Sequence, residues 1–101
     1  MSADMIAALR ERIMPVVTKR NLSKVVLFGS RARGDNSEES DYDFYVDAPE
    51  IRSLFDLGGL YIDFERELQQ DVDLVMVPDK YTRIKRSLME NIAQEGVVIY
   101  G

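Results

Sequence analysis

Two aspartates at alternate positions of one segment are the first residues in this sequence whose types and spacing could do chemistry. Asp41 and Asp43 lie in a stretch that alternates in polarity, so on a strand both side chains project in the same direction. Like charges on one face of a strand repel each other, unless a divalent cation lies between them. The pair therefore predicts a metal site, although an isolated Asp-x-Asp is more often a solvated acidic edge, here continuing Glu38-Glu39.

A third aspartate and a Gly-Ser turn make the metal hypothesis more specific. Asp73 begins an apolar segment that can pair, as a strand, beside the first two aspartates. Gly29 lets the backbone approach a ligand closely, and Ser30 offers a hydroxyl and an N–H to a phosphate. Arg31 and Arg33 add cationic donors nearby. Three carboxylates facing such a turn match a two-metal phosphoryl-transfer site, with metals roughly 3.5–4 Å apart.

The composition narrows the chemistry and the partners. The 101 residues include no cysteine and no histidine, which excludes thiolate and imidazole chemistry and leaves oxygen ligands that favour Mg²⁺ or Mn²⁺. The net charge of −5 counts against extended DNA or RNA, but not against a metal-bound nucleotide. Because there is neither an apolar run of membrane-spanning length nor a signal-peptide pattern, we expect no membrane partner and a cytoplasmic protein.

Two helices are predicted by apolar spacing in the first two thirds of the chain. The segment 3–20 has Ser2 as its candidate N-cap, and Pro15 is expected to kink it or to start a new turn. The segment 51–69 contains Gly58-Gly59, which either permit close packing on a sheet or divide the helix. Three apolar residues of this second helix lie off a single stripe and are candidates for a partner interface: Leu57, Tyr61 and Phe64.

Apolar runs and alternation predict the strands that must position the aspartates. The predicted strands are 25–28, 41–47, 72–77 and a terminal edge strand, 97–100. Asp71 competes with Asp73 for the third carboxylate role because the two share a face, but Asp73 lies deeper in its strand. A last helix, capped by Asp79 and stopped at Gly96, carries one apolar face made of Tyr81, Ile84, Leu88 and Ile92.

The order of these elements predicts the fold class. The order α-β-(turn)-β-α-β-α-β is typical of an α/β sandwich, with a mixed β-sheet and helices packed mainly on one face. We see no repeat, low-complexity tract or internal linker, so residues 1–101 are expected to form a single domain.

The spacing between the Gly-Ser turn and the aspartate pair resembles that of a known superfamily. Gly29-Ser30, ten intervening residues and then Asp41-Tyr42-Asp43 is similar to the Gly-Ser-x10-Asp-x-Asp signature of the DNA-polymerase-β-like nucleotidyltransferases. A resemblance to the minimal nucleotidyltransferase (MNT) branch covers nearly the whole chain. It is carried by the segments LFGSRARGD, SDYDFYV, VDLV and EGVVIY.

The resemblance implies an activity and assigns residues to it. ATP or another nucleoside triphosphate is the implied donor, with Mg²⁺ as the cofactor. Gly29 and Ser30 are implied to bind the triphosphate. Asp41, Asp43 and Asp73 are implied to hold two metal ions, and Asp73 is also implied to accept the proton of the attacking hydroxyl.

The resemblance also implies a protein partner, and it leaves alternatives. Chains of the MNT branch resemble antitoxins encoded beside a HEPN-domain ribonuclease toxin, which they silence by transferring AMP to a tyrosine hydroxyl. The acidity of this chain suits a basic, RNA-cutting partner. The alternatives are nucleotidyl transfer to a small molecule such as an aminoglycoside, and a non-catalytic antitoxin that neutralises its partner by binding.

Overall fold

The structure, a computed structural model, describes the backbone of residues 1–77 and 86–101 and the side chains of residues 1–76 and 89–101. Within these ranges the elements follow one another as α1 (Ala3–Arg20), β1 (Lys24–Phe28), α2 (Gly29–Arg33), β2 (Tyr42–Asp47), α3 (Leu54–Leu68), β3 (Val72–Val77), α4 (Arg86–Glu95) and β4 (Val97–Tyr100). The predicted cap at Asp79, with Tyr81, Ile84 and the Leu88 side chain, lies outside the described residues.

The four strands form one mixed sheet in the order β3-β2-β1-β4. Strand β1 runs antiparallel to both β2 and β4, whereas β3 runs parallel to β2. The predicted strands are therefore confirmed, with β1 in the interior and β4 at the edge. The register places Phe28 opposite Asp43, and Asp43 opposite Asp73, so these three side chains share one face of the sheet.

Two helices cover the other face and form the larger part of the core. Helices α1 and α3 pack on the face that carries Leu27 and Phe44, and the rings of Phe44 and Phe64 stack with centroids 5.2 Å apart. On the Asp43 face, Ile92 of α4 packs on Val26 and Phe28. The expectation of helices mainly on one face is thus confirmed, and α4 on the opposite face flanks the part of the sheet that carries the aspartates.

Helix α1 continues through Pro15 instead of being divided there. Its N-terminus is capped as predicted, because the Met5 N–H donates to the Ser2 hydroxyl at 3.2 Å. Pro15 removes the hydrogen bond that would reach the Glu11 carbonyl, but both residues are exposed to solvent. Water can hydrogen-bond the freed carbonyl, which lowers the cost of keeping Pro15 inside the helix. No new turn begins at this proline.

Helix α3 is also continuous across its two glycines. The Ser53 hydroxyl caps it by accepting from the Asp56 N–H at 3.0 Å. A Cβ at Gly59 would lie 2.6 Å from Nη2 of Arg20, so this glycine provides room for an arginine of α1 and not for the sheet. Arg20 crosses α3 there and donates to Asp63 at 2.8 Å. None of the helices in the described ranges is long and apolar enough to cross a membrane.

Candidate active site

The carboxyl groups of Asp43 and Asp73 come together at the start of two parallel strands. The two residues are direct register partners in β2 and β3, and their side chains are within hydrogen-bonding reach of each other. Burial of the half-buried Asp43 raises its pKa above 3.8, and the charges of Asp73 and Asp41 raise it further. The sheet therefore holds a carboxylate pair whose negative charges are unfavourable for each other.

Gly29 lies directly against the Asp43 carboxyl group. Its backbone has a φ of +75°, and a Cβ added there would overlap Oδ2 of Asp43 and lie 3.1 Å from Cγ. Gly29 is the first residue of the short helix α2. The buried Phe28, at the end of β1, immediately precedes it. The absence of a side chain at this position thus lets the α2 backbone and the carboxylate approach each other.

Ser30 follows in the first turn of α2. Its carbonyl accepts the N–H groups of Gly34 and Asp35 at 2.9 and 3.1 Å, which closes the short helix. Within the described part of the chain its hydroxyl has no hydrogen-bond partner, and the residue is half-exposed. The hydroxyl is therefore available to a ligand beside Asp43.

Asp41 lies one residue before β2 and is exposed. Its charge contributes to the raised pKa of Asp43, which places it within electrostatic range of the pair. Among the described residues, no group of three acidic, histidine or cysteine side chains is arranged closely enough to form a ready-made metal cluster. The assignment of all three aspartates to metal ions remains a prediction.

The residues present nevertheless fit a divalent cation. Two carboxyl groups within hydrogen-bonding reach of each other, with a third nearby, supply the hard oxygen ligands that Mg²⁺ and Mn²⁺ prefer. Arg33 is the cation whose charge lowers the Asp43 pKa, and burial with the neighbouring carboxylates outweighs it. A bound cation would relieve the electrostatic cost of this arrangement.

The two predicted nucleotide-binding arginines have different surroundings. Arg33 is exposed on the Asp43 side, where it pairs with Asp35 at 3.1 Å and with Glu95 of α4 at 3.2 Å. Sequence reasoning missed Glu95, because nothing in the local sequence connects it to a residue so far back along the chain. Arg33 is therefore near the aspartates but already held by two carboxylates.

Arg31 holds the loop that leads to the aspartates. Its Nε donates to the Ser40 carbonyl at 2.9 Å, and its Nη2 donates to the carbonyls of Ser40 and Glu38 at 2.7 and 3.1 Å. Its guanidinium also lies over the Tyr42 ring, 4.0 Å from the centroid. Tyr42 packs on the core face of the sheet, so these contacts direct Arg31 away from the Asp43 face. A role of Arg31 in nucleotide binding stays a prediction.

An open cleft continues along the Asp43 face of the sheet. Tyr45, two residues along β2, lines it together with Val26 of β1 and Ile92 of α4, and its volume is about 280 Å³. Burial and the charge of Asp47 raise the pKa of Tyr45 above 10.0, so this tyrosine is neutral near pH 7. The cleft offers apolar surface on the same face of the sheet as Asp43.

A family model matches this chain. The model is described as "Polymerase beta, Nucleotidyltransferase", and it covers residues 11–101. The matched range contains the Gly-Ser turn and all three aspartates of the candidate site.

Relatives of similar length agree with this family. The chain is 33% identical over 89 residues to the "Putative protein adenylyltransferase MJ0435" of Methanocaldococcus jannaschii, covering 88% of this chain and 91% of the relative. A solved structure described as a "putative minimal nucleotidyltransferase" superposes with a TM-score of 0.70 at 30% identity, covering 96% of this chain and 95% of the other.

Two toxin–antitoxin complexes contain chains with the same fold. A chain of a toxin–antitoxin crystallised with AMP-PNP has a TM-score of 0.73 at 23% identity and covers 91% of this chain and 73% of its own. A chain from the complex of a tri-AMPylated HEPN toxin with its MNT antitoxin, from Shewanella oneidensis, has a TM-score of 0.68 at 20% identity, covering 95% and 72%. Together with the family model and the shared mixed sheet, these comparisons show that the chain belongs to the polymerase β nucleotidyltransferase family.

Proposed function

We propose that this nucleotidyltransferase moves AMP from ATP to a hydroxyl group, a tyrosine in the first instance, of a HEPN-type ribonuclease toxin and so acts as its antitoxin. The observation that carries the proposal is the Asp43–Asp73 carboxyl pair, packed against the backbone of Gly29 at one end of the sheet. This arrangement provides ligands for a metal–triphosphate complex at one point of the surface.

Each residue of the site has a role in this proposal. The backbone of Gly29 and the free hydroxyl of Ser30 bind the triphosphate, and Arg33 adds a cationic contact once it leaves Asp35 and Glu95. Asp41, Asp43 and Asp73 hold Mg²⁺, with two ions in the complete site and Mn²⁺ as a substitute. When bound, the ions polarise the phosphates and lower the pKa of the acceptor hydroxyl.

The reaction is an in-line displacement at the α-phosphorus of ATP. The acceptor oxygen forms a bond to the α-phosphorus while the bond to the α–β bridging oxygen breaks. Pyrophosphate leaves with that electron pair, and Asp73 takes the hydroxyl proton. The exposure of Asp73 suits this role, because an acceptor from outside the chain can reach it.

The choice of AMP and of a protein acceptor rests on the relatives. The name of the archaeal relative describes a protein adenylyltransferase, and one structural neighbour includes a tri-AMPylated HEPN toxin. A second neighbour was crystallised with AMP-PNP, an ATP analogue. The open cleft beside Tyr45 offers a protein segment apolar surface on the sheet face that carries Asp43.

The test uses ATP labelled at the α-phosphate, Mg²⁺ and lysate of the native cells. Wild-type chain is compared with the double variant Asp41→Asn/Asp43→Asn, and ATP labelled at the γ-phosphate serves as a parallel control. We expect one labelled protein band, dependent on the α label and absent with the variant. Mass spectrometry of that band should locate AMP on a tyrosine.

Other distributions of the label contradict the proposal in distinct ways. Label in the small-molecule fraction means that the acceptor is not a protein. A partner that co-purifies and is silenced without any label means that the chain neutralises it by binding alone. Label from the γ position would identify phosphate transfer instead of AMP transfer.

A further inference from the structure

The partner interface that the sequence predicted on helix α3 is wrong at each of its residues. Phe64 is fully buried, and Leu57 and Tyr61 pack against the core. Helix α3 is rotated so that the side carrying Phe64 faces the sheet, where its ring stacks on Phe44. Contacts that bear on the candidate site lie elsewhere, at the end of the loop between α2 and β2.

Asp41 differs from the other two aspartates of the candidate site because it lies outside the sheet. Asp43 and Asp73 belong to paired strands, whereas Asp41 is exposed and immediately precedes β2. Strand pairing of Asp41 itself therefore does not fix its backbone. A ligand on a mobile loop would lose conformational entropy whenever it bound a metal ion, so the contacts of its neighbours decide how well it can serve.

The peptide group between Ser40 and Asp41 is held by Arg31. The Ser40 carbonyl accepts from Nε of Arg31 at 2.9 Å and from Nη2 at 2.7 Å. Two donors of one planar guanidinium on a single oxygen restrict both the position and the orientation of that carbonyl. Because the Ser40 carbonyl and the Asp41 N–H belong to the same planar unit, this contact fixes the backbone on the N-terminal side of Asp41.

The guanidinium group of Arg31 is itself fixed. Its Nη2 also donates to the Glu38 carbonyl at 3.1 Å, and the group lies 4.0 Å from the centroid of the Tyr42 ring. Tyr42 in turn stacks on Phe44 of the core, with centroids 5.8 Å apart. Within the described residues Arg31 has no carboxylate partner, so its donors serve the backbone of the loop.

The residue after Asp41 is held as well. The Tyr42 N–H donates at 3.1 Å to the carbonyl of Asp71, which immediately precedes β3. Asp71, the competitor of Asp73 for the third carboxylate role, thus contributes its backbone beside the site. Asp41 therefore lies between two fixed neighbours, one held by Arg31 and the other by Asp71.

We propose that Arg31 is a positioning residue for Asp41. By fixing the Ser40–Asp41 peptide group from the core face, it holds the Asp41 carboxylate where that group can share a divalent cation with Asp43. This role is distinct from the nucleotide contact that the sequence predicted for Arg31, because the guanidinium lies on the Tyr42 side of the sheet. The inference rests on the proposed function in one respect, the use of Asp41 as a metal ligand.

The test is Mn²⁺ binding by the full chain without nucleotide or partner, followed by electron paramagnetic resonance of the free ion. We expect Arg31→Gln to raise the Mn²⁺ dissociation constant about tenfold, as is typical when a group that orients a metal ligand is lost. Loss of a positive charge would by itself strengthen cation binding, so weaker binding identifies positioning and not charge. Arg31→Lys, a milder change that keeps the charge but not the two donors on one oxygen, should also weaken binding.

Two further comparisons separate positioning from a general effect on structure. Arg12→Gln is the matched control, because Nη2 of Arg12 also donates to two backbone carbonyls, those of Glu67 and Leu68 at 3.1 and 2.9 Å. These carbonyls lie at the C-terminal end of α3, and the variant should leave the dissociation constant unchanged. In an Asp41→Asn background, Arg31→Gln should have no further effect on Mn²⁺ binding. Circular dichroism confirms that each variant is folded.

Several results would overturn the proposal. Either Arg31 variant binding Mn²⁺ as tightly as the wild type does so, as does an equal loss of affinity in Arg12→Gln or with Asp41→Asn already in place. A wild-type chain that binds no Mn²⁺ overturns it as well. The proposed function fails separately: if the expected Mn²⁺ pattern is found but no AMP is transferred, the positioning role stands without that activity. AMP transfer with unchanged Mn²⁺ affinity in Arg31→Gln keeps the proposed function and removes this role.

Discussion

Asp43 and Asp73 are register partners across two parallel strands, with their carboxyl groups within hydrogen-bonding reach of each other. The backbone on both sides is part of the sheet, so neither residue can move away without breaking strand pairing. The fold therefore holds together two acidic groups that repel each other when both are ionised. The stability of the protein should depend on what neutralises them.

Mg²⁺ should stabilise the wild-type fold. At a concentration ten times the dissociation constant, linkage gives about 1.4 kcal/mol, which corresponds to roughly 5–10 °C in Tm for a domain of this size. Asp43→Asn should raise the Tm in EDTA, because one charge of the pair is gone, and should abolish the response to Mg²⁺. Thermal unfolding in EDTA, Mg²⁺ and Ca²⁺ measures both effects. Equal Mg²⁺ responses of the two proteins would place the ion elsewhere.

This metal response should weaken in acid. Asp43 has to lose its proton to hold an ion, and burial together with Asp73 and Asp41 raises its pKa above 3.8. The raised folded-state pKa means that the protonated form is favoured on folding, so without metal this contribution to stability is lost as pH rises through that pKa. The Mg²⁺-induced change in Tm should therefore shrink as pH falls through the same value. A pH-independent change would exclude Asp43 as a ligand.

Gly29→Ala should remove activity out of proportion to its effect on stability. The new Cβ would displace the Asp43 carboxyl group, and the φ of +75° adds strain of about 1 kcal/mol. We expect nucleotidyl transfer to fall at least a hundredfold. Gly34→Ala is the matched control, since its φ is +86° but no atom lies within 4 Å of its added Cβ. If both variants lose activity equally, backbone strain and not the contact with Asp43 is responsible.

Substitutions of Arg31 and Arg33 should have different effects on stability and on catalysis. Arg33→Gln breaks only exposed ion pairs with Asp35 and Glu95, so unfolding should hardly change while the KM for ATP rises about tenfold. Arg31→Gln removes three hydrogen bonds to loop carbonyls and the contact with Tyr42, which should cost about 2 kcal/mol of stability and lower kcat. Urea denaturation and steady-state kinetics distinguish the two. A raised KM with unchanged stability for Arg31→Gln would assign that arginine to the nucleotide.

Asp63→Asn should destabilise the contact between α1 and α3 by about 1–2 kcal/mol at pH 7. Asp63 is 8% exposed; its burial raises its pKa, but hydrogen bonds from Arg20 and Lys19 outweigh this and hold the pKa below 3.8. A lowered folded-state pKa contributes stability above the unfolded value, and that contribution is lost as pH falls through the folded pKa. The difference between wild type and variant should therefore narrow below about pH 4.

Denaturant titrations from pH 2.5 to 7 measure this difference. Glu67→Gln is the control on the same helix, because Glu67 is exposed and has no side-chain ion pair within the described residues. It should change stability by less than about 0.5 kcal/mol at every pH. A constant destabilisation by Asp63→Asn across the range would mean that packing, and not charge, is what Asp63 contributes.

The sequence alone was sufficient to predict the strands and the fold class, which the structure confirms, and to propose the residues of the site. Each of these is encoded locally: an apolar run predicts a buried strand, alternation assigns Asp43 to one face, and the spacing from Gly29-Ser30 to Asp41 resembles a known signature. Ser2 was identified as an N-cap in the same way, since capping depends on a residue and its next few neighbours. Local chemistry is sufficient for such assignments.

Only the tertiary structure decided which distant groups meet. The pairing of Asp43 with Asp73 depends on strand register, the pairing of Arg33 with Glu95 on how α2 and α4 pack, and the contact of Gly59 with Arg20 on how α1 crosses α3. The sequence likewise did not show which side of α3 faces outward. The helix is apolar over most of its circumference, and packing on the sheet decides which part is buried. Long-range contacts are set by packing the whole core at once, and no short segment contains that information.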